Sequence, residues 1–354
     1  MGKKHNFSAG PCILPQEVFQ KSAEAVLDFN HSGLSLLEIS HRSPDFVEVM
    51  AQARASVKRL MNLNDDYEVL FLQGGANLQF AMVPFNLLST EGVAAYLDTG
   101  TWAHNAIVEA EKIGRVEVVA SSKAENYHTI PKDYQIDQRY DYFHCTSNNT
   151  IYGTQMKTFP KGDTIKVCDM SSDLFSRQLD FSQFDLIYAG AQKNLGPAGT
   201  VLVVVKKEIL GQSGRVIPSY LDYELHIKKD SMFNTPPVFA VYASWLNLQY
   251  LEAHGGISEM EKNNQAKAQL LYDEIDRNPL FIGTAAKEDR SMMNVCFHLV
   301  DESLKDQFDQ IWKSHNISGL NGHRSVGGYR ASLYNALPIE SVQVLVNAMQ
   351  QLKP

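Results

Sequence analysis

Seven short apolar runs mark the first two-thirds of the chain. Most of them are apolar nearly throughout, which is typical of strands that are buried on both faces of a sheet. The runs cover residues 68–72, 93–97, 116–120, 140–145, 165–169, 184–188 and 200–205. Stretches with helical spacing separate several of them, at 44–61, 77–88 and 102–112. This alternation predicts an α/β domain whose mostly parallel seven-stranded sheet is flanked by helices, with some antiparallel pairing where late strands lack an intervening helix.

The last third of the chain has a different pattern. A long helix is expected between Pro236-Pro237 and Gly255-Gly256, because proline favours the start of a helix and glycine its end. From about residue 256 the pattern changes to helix, strand, helix, strand and helix. This order predicts a smaller α+β domain at the carboxy terminus.

These patterns divide the chain into three parts. We predict an N-terminal segment at 1–15, a large domain at 16–255 and a small domain at 256–354. A further helix is expected at 15–29, and it could pack on the small domain.

Composition narrows the classes of function. The 354 residues carry a formal net charge of −8, which argues against a broad basic surface for nucleic acid but leaves room for a local cationic pocket that binds a small anion. Four cysteines without close pairing make a disulfide framework improbable and favour the cytoplasm. Lys3 and Lys4 are not followed by an apolar segment, so we expect no signal peptide, and no apolar run is long enough to predict a membrane span.

Loops that follow parallel strands are where ligands bind in such sheets. The loop Gln73-Gly74-Gly75-Ala76-Asn77 joins a strand to a helix, and free amides at a helix start bind phosphate. It matches neither a dinucleotide nor a Walker motif, so an ordinary tight turn is the alternative.

Two loops carry single charges in unusual surroundings. Asp169 ends a buried strand, where a carboxylate needs a compensating cation or donor, although it could also cap the next segment. Lys193 lies among small residues between two strands, where desolvation lowers a lysine pKa and makes the amine a Schiff-base nucleophile. The alternative for Lys193 is a solvated surface side chain.

Two further loops complete the picture. Trp102 follows the second strand and could cover a flat ligand or simply fill the core, and the segment 146–150 clusters hydroxyls and amides. A flat ring, a phosphate, a carboxylate partner and a lysine together describe pyridoxal phosphate.

Several segments resemble the phosphoserine aminotransferase family, which belongs to class V of the fold type I pyridoxal-phosphate-dependent transferases. The resemblance runs in order over nearly the whole chain and is most specific in the Gln-Lys-Asn loop and in 322–332. The segments are 6–11, 40–43, 74–76, 190–199, 234–237 and 322–332. The resemblance implies a homodimer with interfacial active sites that transfers the amino group of L-glutamate to 3-phosphohydroxypyruvate. The products are O-phospho-L-serine and 2-oxoglutarate in serine biosynthesis, and 4-phosphohydroxy-L-threonine in pyridoxine biosynthesis is a possible second substrate.

The resemblance also implies a role for each cofactor-binding residue. Lys193 holds pyridoxal 5'-phosphate as a Schiff base, one per subunit, and Asp169 pairs with the pyridinium nitrogen. Trp102 stacks on the ring and Thr150 hydrogen-bonds its phenolic oxygen. The phosphate is held by Ala76, Asn77 and Gln192, with Asn234 and Thr235 of the other subunit. Some relatives carry an arginine where this chain has Ala76-Asn77-Leu78, so backbone amides would do more of the phosphate binding here.

Both substrates carry an α-carboxylate and a second anion, so the pocket should hold two cationic points. Arg330 suits the α-carboxylate because guanidinium binds carboxylates bidentately. The pairs His41-Arg42 and His323-Arg324 would meet the second anion, and the resemblance places the first pair on the partner subunit. For either pair taken alone, a surface arginine beside a histidine is the alternative.

Other interpretations remain open at this point. Within the fold, a cysteine desulfurase would need a cysteine on a mobile late loop, and Cys296 lies instead in an apolar strand pattern, where a buried thiol is expected. An alanine–glyoxylate aminotransferase would have little use for two His-Arg pairs. Outside enzymes, an anion-binding α/β module would use Lys193 only as a phosphate contact. We expect no metal site, and we expect Arg177 to form a structural ion pair.

Overall fold

The computed structural model describes residues 3–137 and 139–354. The helices are α1 Gln16–Leu27, α2 Pro44–Met61, α3 Gly75–Leu87, α4 Thr101–Glu111, α5 Tyr223–Lys228, α6 Val238–Ala253, α7 Gly256–Arg277, α8 Lys305–Ser314 and α9 Ile339–Gln351. The strands are β1 His5–Asn6, β2 Tyr67–Leu72, β3 Val93–Asp98, β4 Arg115–Ser121, β5 Tyr142–Thr146, β6 Asn148–Asn149, β7 Thr154–Gln155, β8 Lys166–Asp169, β9 Leu186–Gly190, β10 Val201–Lys206, β11 Phe281–Gly283, β12 Asn294–Leu299, β13 Ile317–Ser318 and β14 Tyr329–Ser332. None of the helices within these ranges combines the length and apolar character needed to cross a membrane.

A seven-stranded sheet forms the centre of residues 16–255, which are called the larger part below. Its strand order is β2-β10-β9-β8-β5-β3-β4, and every pairing is parallel except those of β10 with β2 and β9. The seven predicted strands and the mostly parallel arrangement are therefore confirmed. The antiparallel strand is the one that follows β9 with no helix between them, because a short connection cannot make a parallel crossover.

Helices cover both faces of this sheet. One face packs against α2 and α6, and the other packs against α3 and α4, which gives two separate apolar cores. Sequence signals explain α2 well: the Ser43 hydroxyl accepts a hydrogen bond from the Phe46 amide, proline occupies the first turn, and Asn62 ends the helix in the left-handed region. The nearly continuous apolar strands follow from burial on both sides.

The carboxy-terminal part has its own sheet and core. Strands β11, β12 and β14 pair antiparallel, and α7, α8 and α9 supply the apolar residues that pack against them. Strand β1 pairs in parallel with β13, so the start of the chain lies on this unit, and Phe7 belongs to its core. Below, the term small unit means residues 256–354.

Helix α1 packs mainly against α6. Its buried residues Val18 and Ala25 belong to the core shared by α2 and α6. A helical pattern in the sequence does not show which of two apolar surfaces the helix will pack against. The predicted boundary between residues 255 and 256 coincides with a break between α6 and α7, and it stays a prediction.

Candidate active site

A cavity of about 400 Å³ opens beyond the carboxyl ends of β2, β3, β5, β8 and β9. This is the edge of the sheet at which parallel α/β proteins bind ligands. The larger part, the N-terminal segment and the small unit all contribute to its walls. The lining residues are Ala9, Gly10, Gly74, Gly75, Ala76, Asn77, Phe80, Trp102, Thr146, Asn148, Thr150, Ile151, Asp169, Ser171, Ser172, Gln192, Lys193, His323 and Arg330.

One wall is the turn from β2 into α3. Gly74 has φ +83°, in the left-handed region, and a Cβ there would lie 2.5 Å from Cδ2 of Leu78. Glycine is therefore required for the turn. The first amides of α3, from Gly75 to Asn77, have no acceptor within the helix, and no side chain caps it. Their positive dipole end is open to an anion in the cavity.

Asp169 ends β8 at the cavity floor. Its Oδ1 accepts a hydrogen bond from the Ser171 amide at 2.9 Å. Burial raises the pKa of the carboxyl group, while Ser171 and the Lys193 ammonium act in the opposite direction. Thr146 pairs with Asp169 in the strand register, and its hydroxyl is buried without a hydrogen-bond partner among the described residues.

Lys193 lies in the loop between β9 and β10. The loop is tight, because the Lys193 and Gly196 amides both donate to the Ala191 carbonyl at 2.7 Å. Burial lowers the pKa of the amine, and the Asp169 carboxylate is the strongest opposing influence. A fraction of neutral amine is therefore available at lower pH than for a solvated lysine, which is what a nucleophile or general base needs.

Thr150 connects three parts of the cavity wall. Its hydroxyl accepts a hydrogen bond from the Trp102 indole N–H at 3.1 Å, so its own proton is free to be donated. Its carbonyl accepts a hydrogen bond from Nη1 of Arg330 at 3.2 Å. The first α4 turn, the segment after β6 and strand β14 are thereby fixed relative to one another.

Arg330 brings a positive charge from the small unit. One guanidinium edge is anchored on Thr150, whereas Nε is buried and has no partner among the described residues. A buried donor without an acceptor is costly, and a bound carboxylate would satisfy it. His323 lines the same region, and burial together with the nearby Arg330 and Arg324 lowers the pKa of its imidazole.

Five of the candidate residues do not line this cavity. They are His41, Arg42, Asn234, Thr235 and Arg324. Asn234 and Thr235 lie instead beside the turn from β2 into α3, which is called the cradle below. Nδ2 of Asn234 donates to Gln73 at 3.2 Å, and Gln73 donates to the Thr235 carbonyl at 2.7 Å. Nε2 of His41 is buried and unpartnered in the part of the chain that is described.

Several lining residues have no role in the sequence analysis. Ala9 and Gly10 lie in a segment that carried the resemblance, and Thr146 ends β5 and begins the polar cluster at 146–150, so both places held a signal. Ser171 follows Asp169 closely in the chain, and its contact with Asp169 depends on the local backbone. Phe80 lies one turn into α3, where the sequence shows only an apolar helix position.

Two structural expectations are confirmed near the site. Arg177 forms an ion pair with Asp173 at 3.2 Å, and both side chains are buried. Cys296 is 6% exposed and lies in β12, as expected for an apolar core position rather than a mobile loop.

Comparison with known proteins gives a consistent result. Residues 4–345 match the family described as aminotransferase class-V. The chain is 67% identical over 352 residues to a phosphoserine aminotransferase of Flavobacterium psychrophilum, covering 99% of both chains. Among solved structures, phosphoserine aminotransferase from Bacillus circulans subsp. alkalophilus is 42% identical with a TM-score of 0.96, covering 99% of this chain and 98% of that one. The pyridoxal-phosphate-bound phosphoserine aminotransferase from Trichomonas vaginalis is 34% identical with a TM-score of 0.94, covering 99% of this chain and 100% of that one.

Proposed function

The chain belongs to the class-V aminotransferase family, and from this premise we propose that it is a pyridoxal-phosphate-dependent phosphoserine transaminase. It transfers the amino group of L-glutamate reversibly to 3-phosphohydroxypyruvate, which gives O-phospho-L-serine and 2-oxoglutarate in serine biosynthesis. The observation that carries the proposal is that a part-buried lysine, a buried aspartate and an arginine with an unpartnered Nε face one cavity.

The cavity fits the cofactor that the family implies. The cradle at Gly74–Asn77 offers open amides to a phosphate, and Asp169 has a second carboxylate oxygen beyond the one that Ser171 occupies. The volume of about 400 Å³ is in the range of small-molecule sites. When bound, pyridoxal phosphate supplies an electron sink that lets a proton leave the α-carbon of an amino acid.

Lys193 is assigned two tasks in this proposal. Its Nζ is the amine that would hold the cofactor, and when free it would accept the proton that leaves the substrate's α-carbon. Both tasks need a neutral amine at some stage. The lowered pKa that burial gives to Lys193 supports this assignment.

The remaining cofactor contacts follow from the donors and acceptors available. Asp169 is assigned to the pyridinium nitrogen, and Ser171 and Lys193 favour its charged form. Thr150 can donate a hydrogen bond to the phenolic oxygen because Trp102 already occupies its acceptor side. Trp102 is assigned to the ring face, and Ala76, Asn77 and Gln192 are assigned to the phosphate.

Arg330 is assigned to the substrate α-carboxylate. Its buried, unpartnered Nε supports this role, because a carboxylate would complete the hydrogen bonding of that edge. His323 and Arg324 are assigned to the phosphate or the glutamate side chain. Burial and the neighbouring arginines lower the pKa of the His323 imidazole in the absence of a bound anion.

We also propose a homodimer in which His41, Arg42, Asn234 and Thr235 complete the partner's site. The segment around His41 exposes apolar side chains, with Leu37 at 63% and Val47 at 41%, and such patches mark protein interfaces. The buried and unpartnered Nε2 of His41 supports a further contact at this place.

The test is a transamination assay with the purified chain, pyridoxal phosphate, L-glutamate and 3-phosphohydroxypyruvate. We expect release of 2-oxoglutarate and a visible absorbance band of the bound cofactor. Both should be lost in Lys193→Ala and retained in Lys207→Ala, which removes an exposed lysine. Turnover with alanine and glyoxylate but not with these substrates would contradict the proposal, as would a chain that never binds the cofactor.

A further inference from the structure

The N-terminal residues 5–12, called the strap below, run from the small unit to the cavity. At one end, β1 pairs with β13. Phe7 extends this pairing, because its amide donates to the Ser318 carbonyl at 2.8 Å and its carbonyl accepts from the Ser332 amide at 3.2 Å. The strap is thus held by main-chain hydrogen bonds next to β14, the strand that carries Arg330.

The middle of the strap forms part of the cavity wall. The Tyr334 hydroxyl donates to the Ala9 carbonyl at 2.8 Å, which holds the strap to the loop after β14. Ala9 and Gly10 line the cavity, and a Cβ at Gly10 would lie 3.4 Å from Cγ of Lys193. The strap therefore passes directly against the lysine side chain.

The far end of the strap reaches the main chain of the lysine loop. The Cys12 amide donates to the Gln192 carbonyl at 3.2 Å, and the Cys12 thiol donates to the Lys193 carbonyl at 2.7 Å. Burial raises the pKa of this thiol to about 12, so the group keeps its proton at neutral pH. Its role is consequently that of a hydrogen-bond donor rather than a nucleophile.

These contacts hold the lysine backbone from a segment outside its own loop. The Lys193 amide is already turned inward to the Ala191 carbonyl at 2.7 Å, so the Cys12 thiol anchors the other end of the same residue. Where a side chain must place a reacting nitrogen within a few tenths of an ångström, the anchoring of its backbone affects the rate.

We propose that the strap is a positioning element for the lysine, with Cys12 as its positioning residue. It ties the Lys193 carbonyl to the unit that carries Arg330, so the amine and the carboxylate-binding guanidinium keep a fixed separation. The inference rests on the proposed function, because it concerns the lysine assigned to the cofactor.

The first test compares Cys12→Ala, which lacks the donor, with Cys12→Ser, which keeps one. We expect kcat to fall about 3- to 10-fold in Cys12→Ala with KM for glutamate within about twofold, since one ordinary hydrogen bond is lost and substrate contacts remain. The pH midpoint of the bound cofactor's absorbance band should shift by about 0.3 to 1 pH unit. Cys12→Ser should return both values to those of the wild type.

Cys145→Ala is the matched control. Cys145 is a buried thiol on β5 that packs in the core under α2 and α6, on the sheet face away from Thr146 and the cavity. The Cys145→Ala variant should leave the absorbance midpoint unchanged. An unchanged absorbance midpoint and kcat in Cys12→Ala would overturn the proposal. A midpoint that shifts in Cys12→Ser or in Cys145→Ala by as much as in Cys12→Ala would also overturn it.

A second variant tests the other end of the strap without changing Cys12. Tyr334→Phe removes the donor to the Ala9 carbonyl and keeps the ring. We expect a shift of the absorbance midpoint in the same direction as in Cys12→Ala. A wild-type midpoint in Tyr334→Phe would overturn the tie to the small unit. Failure of the proposed function is distinguishable, because the wild type would then show no cofactor band or no transamination.

Discussion

Lys193 is part-buried and Asp169 is buried, and these groups of opposite charge face the same cavity. Burial disfavours the charged form of each, and each lessens this cost for the other. The result is an amine that loses its proton more readily than a solvated lysine, beside a carboxylate that its neighbours help to keep charged. The same two residues stand out in the sequence because each is a lone charge among small or apolar neighbours.

Arg330 allows a sharp test at the scale of one residue. Arg330→Lys keeps the positive charge but removes Nε and the planar pair of donors, so bidentate carboxylate binding is lost. We expect kcat/KM for both glutamate and 3-phosphohydroxypyruvate to fall about 10- to 100-fold, the equivalent of one charged hydrogen bond. Steady-state kinetics with each substrate measures this. Unchanged KM values for both would remove Arg330 from the carboxylate role.

Other residue contacts could not be predicted from the sequence. Thr146 faces Asp169 only because β5 and β8 pair in one particular register. The bond from Trp102 to Thr150 joins residues 48 positions apart. Such contacts depend on strand pairing and on side-chain direction, which a single sequence does not encode locally.

At the scale of elements, the turn from β2 into α3 determines whether the cavity can hold an anion. The helix begins two residues earlier than its apolar pattern, at Gly75 rather than Asn77, because the pattern marks the buried face and not the first turn. Those two residues are part of the anion cradle. The pattern located the element, while the backbone conformation of two glycines set its start.

Gly74→Ala tests this turn. Alanine at φ +83° costs about 1–2 kcal/mol and would bring Cβ against Leu78, so the first amides of α3 must move. We expect the Kd for pyridoxal phosphate, measured by absorbance titration, to rise about tenfold. Gly214→Ala is the control, because Gly214 also has positive φ (+65°) but has open space around it. An unchanged Kd in Gly74→Ala would contradict the role of the cradle.

Helix α7 carries a buried lysine that gives a pH-dependent prediction. Lys267 is 2% exposed and donates to the Leu333 and Tyr334 carbonyls at 3.0 and 2.9 Å. Burial lowers its pKa from 10.5 to about 7. Between these values the unfolded chain binds a proton that the folded chain lacks, so unfolding takes up a proton and stability rises with pH. The two hydrogens of the neutral amine suffice for the two carbonyls.

Lys267→Met removes this titration. The free energy of unfolding of the wild type, relative to the variant, should rise with pH between about 7.5 and 9.5, by up to about 1.4 kcal/mol per pH unit. Urea unfolding at several pH values measures it. Lys262→Met, on the same helix but with a 69% exposed side chain, should show no such slope. Parallel curves for wild type and Lys267→Met would rule out the buried neutral amine.

At the scale of the whole molecule, the cavity lies where three parts of the chain meet. The larger part supplies Lys193 and Asp169, the small unit supplies Arg330 and His323, and the N-terminal segment supplies Ala9 and Gly10. The division into a sheet-centred part and an α+β part could be predicted from the change in pattern. The packing partner of the first helix could not be predicted, because α1 carries an apolar stripe that either part could cover.

The proposed dimer gives a prediction that a single chain cannot satisfy. Residues His41 and Arg42 do not line the cavity of their own chain, and we assign them to the partner's site. Lys193→Ala and Arg42→Ala should each impair activity as pure homodimers. In a mixed dimer, one site would carry both defects and the other would carry neither. Random mixing should therefore restore about a quarter of wild-type activity, because half of the dimers are mixed and each has one intact site.

Co-expression with two different affinity tags isolates the mixed dimer, which should have about half of the wild-type kcat per dimer. The matched control mixes Lys193→Ala with Arg330→Lys, which lie in the same chain's site. This pair leaves one site with no lysine and the other with a weakened arginine, so no intact site forms. Equal activity in the two mixtures would place Arg42 in its own chain's site and contradict the shared arrangement. If the positive charges of two chains converge on one anionic substrate, transamination activity recovers only in the mixture of Lys193→Ala with Arg42→Ala.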